Sequence, residues 1–281
     1  MTTFILTLSS CGGDDSVAVT GIELNKTVLS LQKGSTEMLV AKVKPSDASN
    51  QSIVWTSSNP SVATVTDNGL VAANAAGSAV IIATSRDGQF TATCQVTVQV
   101  NMSAIILNST SLILEKGDET TLAVQITPED ATDKTLLWTV NDPTVASIDN
   151  SGKVVALKNG TTTIIVRNSD DTVKAECKVT VITSVVSVIL NKNEMSLVMG
   201  QTEALIATIL PEDASNKNVT WTSSNENVAT ISSTGIITAI NPGTTSIIVL
   251  TEDKSKTASC LVTVVSPTKV DYTPYDNEQK W

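Results

Sequence analysis

One pattern occurs three times in this 281-residue chain at a fixed step of 83 residues. Trp55, Trp138 and Trp221 keep that step, and so do Cys94, Cys177 and Cys260. Pro45, Pro128 and Pro211 keep it, as do Gly34, Gly117 and Gly200, and Gly77, Gly160 and Gly243. Solenoid units run roughly 20–50 residues, so a unit of this length is a whole small domain. The chain can therefore fold only as a row of three near-identical domains. Each is small enough to bury only about 60–65% of its unfolded surface, which allows one modest core.

Strand periodicity is clear, and the copies check one another. Leu39, Ala41 and Val43 share one face of an expected second strand, matched by Leu122, Val124 and Ile126 and by Leu205, Ala207 and Ile209. Lys42, Gln125 and Thr208 face the other way. Alternation with one wet face predicts antiparallel sheet. That strand should stop at Pro45, Pro128 or Pro211, because proline cannot donate to a ladder. The next strand carries the tryptophan beside Ile53, Leu136 or Val219, and Asn68-Gly69, Ser151-Gly152 and Thr234-Gly235 form turns in which glycine supplies a positive φ. The last strand alternates cysteine and valine with polar residues. About seven short strands per unit, turn signals every 8–12 residues and no helical periodicity predict an all-β protein, three tandem immunoglobulin-like β-sandwich domains in a row.

The order of motifs also resembles the bacterial immunoglobulin-like domain, group 2. The third copy shows it as Val188-Ile189-Leu190-Asn191, Pro211-Glu212-Asp213-Ala214, Trp221-Thr222-Ser223-Ser224-Asn225, Val228-Ala229-Thr230-Ile231 and Cys260-Leu261-Val262-Thr263-Val264. The resemblance covers roughly residues 19–265. It implies a surface-exposed or secreted module of the kind found in adhesins and as spacers in bacterial surface enzymes, with no catalytic residues to carry over.

Several function classes are excluded or disfavoured by composition. The chain has no histidine, which removes the commonest general base and the usual zinc ligand. Its net charge of −10 comes with no basic run, so nucleic-acid binding has no phosphate-neutralising surface. Aromatic residues are 3% of the chain, too few for sugar-stacking platforms within the repeats. No catalytic constellation, metal-ligand set or cofactor motif stands out, and the expectation is a non-enzymatic protein without cofactor or metal.

The four cysteines divide into Cys11 and one equivalent position per repeat, so no intradomain disulfide is available. Cys94, Cys177 and Cys260 are expected as buried thiols, and Trp55, Trp138 and Trp221 as packing residues of the structural core. The acidic turns Pro45-Ser46-Asp47-Ala48, Pro128-Glu129-Asp130-Ala131 and Pro211-Glu212-Asp213-Ala214 read as solvated turns, with a calcium site as the sharper alternative.

At the N-terminus, Leu8-Ser9-Ser10-Cys11 follows a short apolar run and resembles a bacterial lipoprotein signal, which implies lipidation at Cys11. Gly12-Gly13-Asp14-Asp15 then forms an acidic tether, similar to the surface-export signal of Bacteroidetes-type lipoproteins. Asp15-Ser16-Val17 and Asp171-Thr172-Val173 resemble the O-glycosylation tripeptide of the same group. The expected division is 1–18 signal and tether, 19–100, 101–183 and 184–266 the three domains, and 267–281 a tail with Tyr272, Tyr275 and Trp281. Short linkers predict a semi-rigid rod on the order of 100 Å long, at about 33 Å per ten-residue strand. The functional expectation is a monomeric, outer-membrane, surface-exposed lipoprotein. It is held to the membrane by the lipid on Cys11, and it acts in adhesion to a protein or glycan ligand on a host or neighbouring cell. The alternative is a passive spacer for an enzyme or glycan-binding effector beyond Trp281 or on a partner chain.

Overall fold

The computed structural model describes residues 16–252 and 255–268. Cys11, residues 12–15 and residues 269–281 of the tail lie outside the described residues. By chain packing the molecule falls into two compact units. One holds the first repeat with residues 123–137 and 166–175, and the other holds 109–122, 138–165 and everything from 176 onward.

The first repeat runs β1 (Gly21–Leu24), β2 (Val28–Gln32), β3 (Thr36–Met38), β4 (Ala41–Lys44), β5 (Ile53–Ser57), β6 (Ala63–Val65), β7 (Leu70–Ala73), β8 (Gly77–Ser85) and β9 (Thr91–Gln99). Strands β2-β9-β8-β5 form a four-stranded sheet, β3-β7-β6 a three-stranded one, and β1 pairs with β4. The third repeat repeats this order from Glu194–Val198 through Thr257–Val265 and Gly243–Thr251 to Val219–Ser223. The middle repeat places its strands at the equivalent residues. Among the described residues no helix is long and apolar enough to cross a membrane.

The structure has nine strands per repeat among the described residues, not the seven expected, because two expected strands are each broken. The stretch through Leu39, Ala41 and Val43 pairs with β7 over Thr36–Met38 and then with β1 over Ala41–Lys44. The break is held by Asn25, which follows Leu24 as Asn191 follows Leu190 in the third copy. Its backbone N–H donates to Val40 O at 3.0 Å and its side-chain Oδ1 accepts from Val40 N–H at 2.8 Å. Asn108 with Ala123 and Asn191 with Ile206 do the same. The side chain replaces a ladder bond, so a strand can leave one sheet for another without orphaning backbone groups.

Pairing is also not wholly antiparallel. Strand β2 runs parallel to β9, Val28 to Gln32 opposite Gln95 to Gln99. Ser111–Glu115 and Glu194–Val198 pair in parallel with the last strands of their repeats. The chain reaches β2 by crossing over from β1 on the other sheet, which reverses the sense expected of a hairpin. The result is that the ends of β2 and β9 lie side by side at one pole.

The core of the first repeat packs Leu39, Val71, Ile81, Cys94 and Val96, all essentially inaccessible, between the sheets. The third uses Leu205, Ile237, Ile247, Cys260 and Val262. Each buried aliphatic side chain contributes roughly 1.5–3 kcal/mol, and ordering the chain consumes most of it.

Candidate functional site

The three tryptophans are half-buried, each alternating with exposed neighbours along its strand, and Trp55 and Trp221 pack against the cores of their repeats. Trp138 lies over the turn glycine Gly152, where an added Cβ would meet the indole at 3.3 Å and Leu122 O at 2.4 Å. Gly152 has φ +83 and its carbonyl accepts the Leu122 N–H at 2.9 Å. Gly69 and Gly235 hold the same place beneath Trp55 and Trp221. Each aromatic ring thus packs over its turn glycine and stays half-buried, and Trp55 also lines a shallow cleft of about 310 Å³ with Gln51, Ile53 and Asp67.

Cys94, Cys177 and Cys260 are free and wholly buried. Burial pushes each thiol above its ordinary pKa, so the reactive thiolate is suppressed. No group of three or more metal-ligating side chains occurs among the described residues.

The organised polar chemistry lies where one repeat meets the next. The first meeting point falls inside the first compact unit and the second inside the other. Each acidic turn is closed by the alanine N–H donating to the proline carbonyl, at 3.1, 3.1 and 3.0 Å for Ala48, Ala131 and Ala214. The alanine methyl is buried, which leaves the preceding aspartate facing outward. The next residue then grips the incoming linker. Thr132 N–H donates to Val100 O at 2.9 Å, and Val100 N–H donates to Thr132 Oγ1 at 2.8 Å. Ser215 and Thr183 exchange the same two bonds, both 2.9 Å, and so do Ser49 and Val17 ahead of the first repeat.

The parallel β2–β9 pair brings a lysine to the same place. Lys33 N–H donates to Gln99 O at 2.8 Å, beside the point where the chain leaves the first repeat. The Lys33 ammonium reaches the Asp130 carboxylate at 2.9 Å, and Lys116 reaches Asp213 at 2.8 Å. The lysine hydrogen bond holds both aspartate carboxyls below the usual carboxylate range. The second joint carries more. The Glu115 carboxylate accepts from the Ser184 hydroxyl and from Ser184 N–H at 3.0 Å. Thr183 donates to Asn159 Oδ1 at 2.7 Å, and Asn159 donates to the Asp213 carbonyl.

A shallow cleft recurs beside each linker. Gln99–Met102, Thr132, Asp133 and Asn168–Asp170 line one of about 220 Å³, and Ile182–Val185, Ser215, Asn216, Thr251 and Glu252 one of about 260 Å³. Their carboxylates are already engaged. The Ser169 hydroxyl, with Thr135, lowers the Asp133 pKa to about 2, and Glu252 accepts from Asn216 and Asn218. Neither cleft contains an aromatic ring, and the Asp133 carboxylate that accepts the Ser169 hydroxyl is too acidic to serve as a base at neutral pH.

The aspartates of the acidic turns are thus ion-pair acceptors at the joints, a role the sequence reading missed. The signal was available as Lys33 and Lys116 at equivalent positions, but no local motif links them to residues 97 positions away.

The family model for the bacterial Ig-like domain (group 2) matches residues 18–96, 102–179 and 184–262. An uncharacterised protein of Clostridium acetobutylicum is 33% identical over 184 residues, 63% of this chain and 19% of that protein. An Ig-like virion protein of Serratia phage KSP90 is 27% identical over 172 residues, 59% of this chain and 67% of that one. A kappa-carrageenase of Pseudoalteromonas carrageenovora is 46% identical over 70 residues, 25% of this chain and 18% of the enzyme.

Proposed function

The chain belongs to the bacterial Ig-like domain (group 2) family, and from that we propose a non-enzymatic cell-surface protein whose three domains form a semi-rigid rod. In this reading the lipid on Cys11 holds the rod to the outer membrane and the far end meets a protein or glycan on a host or neighbouring cell. The observation that carries it is the pair of gripped joints. A linker hydrogen-bonded to its own domain, with a lysine bridging to the next acidic turn, transmits position along the row and offers nothing to a substrate. The absence of a His-based or metal-based constellation in the sequence supports the non-enzymatic part.

A second reading is a spacer for an effector located elsewhere. It is favoured by the carrageenase match, where a stretch about one domain long accounts for 18% of an enzyme. The joint chemistry serves both readings equally.

The test is fractionation of source cells expressing the wild-type protein and Cys11→Ala, followed by protease treatment of intact cells. Membrane association that is lost in Cys11→Ala, with the wild-type protein shaved from intact cells, supports a surface lipoprotein. A soluble wild-type protein, or one resistant to shaving, sinks it.

A further inference from the structure

Strand β5 ends its sheet. Among the described residues it pairs only with β8, and β4 pairs only with β1. Arg86 N–H donates to Ser52 O and Ser58 N–H to Val80 O, both at 2.9 Å. In the antiparallel register of β5 and β8, those bonds make Val54 and Thr56 the residues bonded to β8. Ile53 and Trp55 then turn their backbone N–H and C=O groups to the open side. The strand reads Ile53-Val54-Trp55-Thr56-Ser57, with no charge and no proline. Exposed edges are ordinarily blunted by one or the other.

The open side is a trough. Lys42, Val43 and Lys44 of β4 line a cleft of about 430 Å³ with Gln51 and Ile53. It runs into the cleft of about 310 Å³ beside Trp55, because Ala41, Gln51 and Ile53 belong to both. From Gln51 to Trp55 the trough is about 13 Å long, the span of four to five extended residues. The edge lies recessed between β4 and the turn residues Asp67 and Asn68. A single extended segment fits beside it. The β5 edge of a second copy carries the same walls and does not. Backbone groups presented at alternate residues are matched by another extended backbone, which is how sheet edges take up peptides.

The two ends of the trough differ in charge. Lys44 is held by Glu23 at 2.5 Å, and Lys42 forms no ion pair among the described residues. Asp67 stands at the Trp55 end. A strand added antiparallel to β5 has its C-terminal end beside Ile53, on the lysine side. We propose that the free edge of β5 in the first repeat accepts an extended segment of another protein as an added antiparallel strand, with an acidic residue at its C-terminal end against Lys42. The site uses none of the joint residues, so it stands apart from the rod reading.

The test is amide hydrogen exchange on the full chain, read residue by residue by NMR. Without a partner, Ile53 and Trp55 should exchange at least about ten-fold faster than Val54 and Thr56. The probe is a capped heptapeptide that alternates threonine and valine and ends in aspartate. At about ten times its Kd it should slow Ile53 and Trp55 about ten-fold. Lys42→Gln should weaken its binding about two- to three-fold with little change in melting. Two further peptides, N-methylated at the valines or at the threonines, should separate into one that binds and one that does not. No slowing up to the solubility limit of the probe overturns the proposal. Equal binding of the two N-methylated peptides overturns it too, by making the contact merely apolar. Slow exchange of Ile53 and Trp55 in the chain alone also overturns it, and loss of that protection on dilution would make a second copy the occupant.

Discussion

Lys33 closes a strand of the first repeat and sets its ammonium 2.9 Å from the carboxylate of Asp130, a residue 97 positions further along. Lys116 and Asp213 reproduce the contact at 2.8 Å over the same separation. Both pairs are about half exposed, so they orient the joint more than they stabilise either domain.

Lowered carboxyl pKa values fix the pH dependence of these joints. Each aspartate is held below its ordinary value, so the paired state favours the ionised form. Its contribution is full at neutral pH, falls progressively as pH drops through the ordinary carboxylate range, and is gone below the lowered folded value. Relaxation measurements of each domain's tumbling should show coupled motion at pH 7 that loosens progressively as pH falls through the ordinary carboxylate range and below it. Lys33→Ala with Lys116→Ala should loosen it at pH 7 with little change in melting temperature. High salt should weaken the wild-type coupling in the same direction.

Gly152→Ala should destabilise the middle repeat by roughly 2 kcal/mol or more, since it adds a clash with Leu122 O to the cost of φ +83. Gly117→Ala separates the two effects. It has φ +94 but nothing within 4 Å of an added Cβ, so it should cost only about 1 kcal/mol. Equal losses in thermal or denaturant unfolding would mean that the close approach beneath Trp138 contributes nothing.

Trp138→Ala should cost about 2–3 kcal/mol, at or below the lower end of the range for a fully buried aromatic. The ring is half-buried, and part of its worth is the contact over Gly152. Denaturant unfolding gives the value. A loss below about 0.5 kcal/mol would place the ring among ordinary surface residues.

Cys94, Cys177 and Cys260 should resist a thiol reagent in the native protein and react together once it is denatured. Full burial blocks access, and desolvation keeps the thiols protonated. Rapid native labelling of all three would contradict the core placement.

Much of the fold was legible because three copies vote on each position. The inward alternation of Leu39, Ala41 and Val43, the strand end before Pro45 and the positive φ at Gly69 all follow from local rules that each copy repeats. What escaped were features set by long-range topology. The strand break at Leu39–Val40 depends on Asn25, and the parallel β2–β9 pair depends on a crossover between sheets. Neither leaves a periodic trace. The joints were illegible for the same reason, since no local pattern marks Lys33 before the parallel pair carries it to the chain exit. In the other direction, the sequence reads Pro-x-Asp-Ala as a solvated turn, with calcium as the alternative. At the joints its aspartate faces an ammonium group.

Small-angle X-ray scattering of the chain in dilute solution tests the proposed semi-rigid rod most directly. Three domains end to end, each about one ten-residue strand long, predict a maximum dimension on the order of 100 Å, unchanged between low and moderate concentration. A radius of gyration near 19 Å, the value for a compact globule of this length, would contradict it.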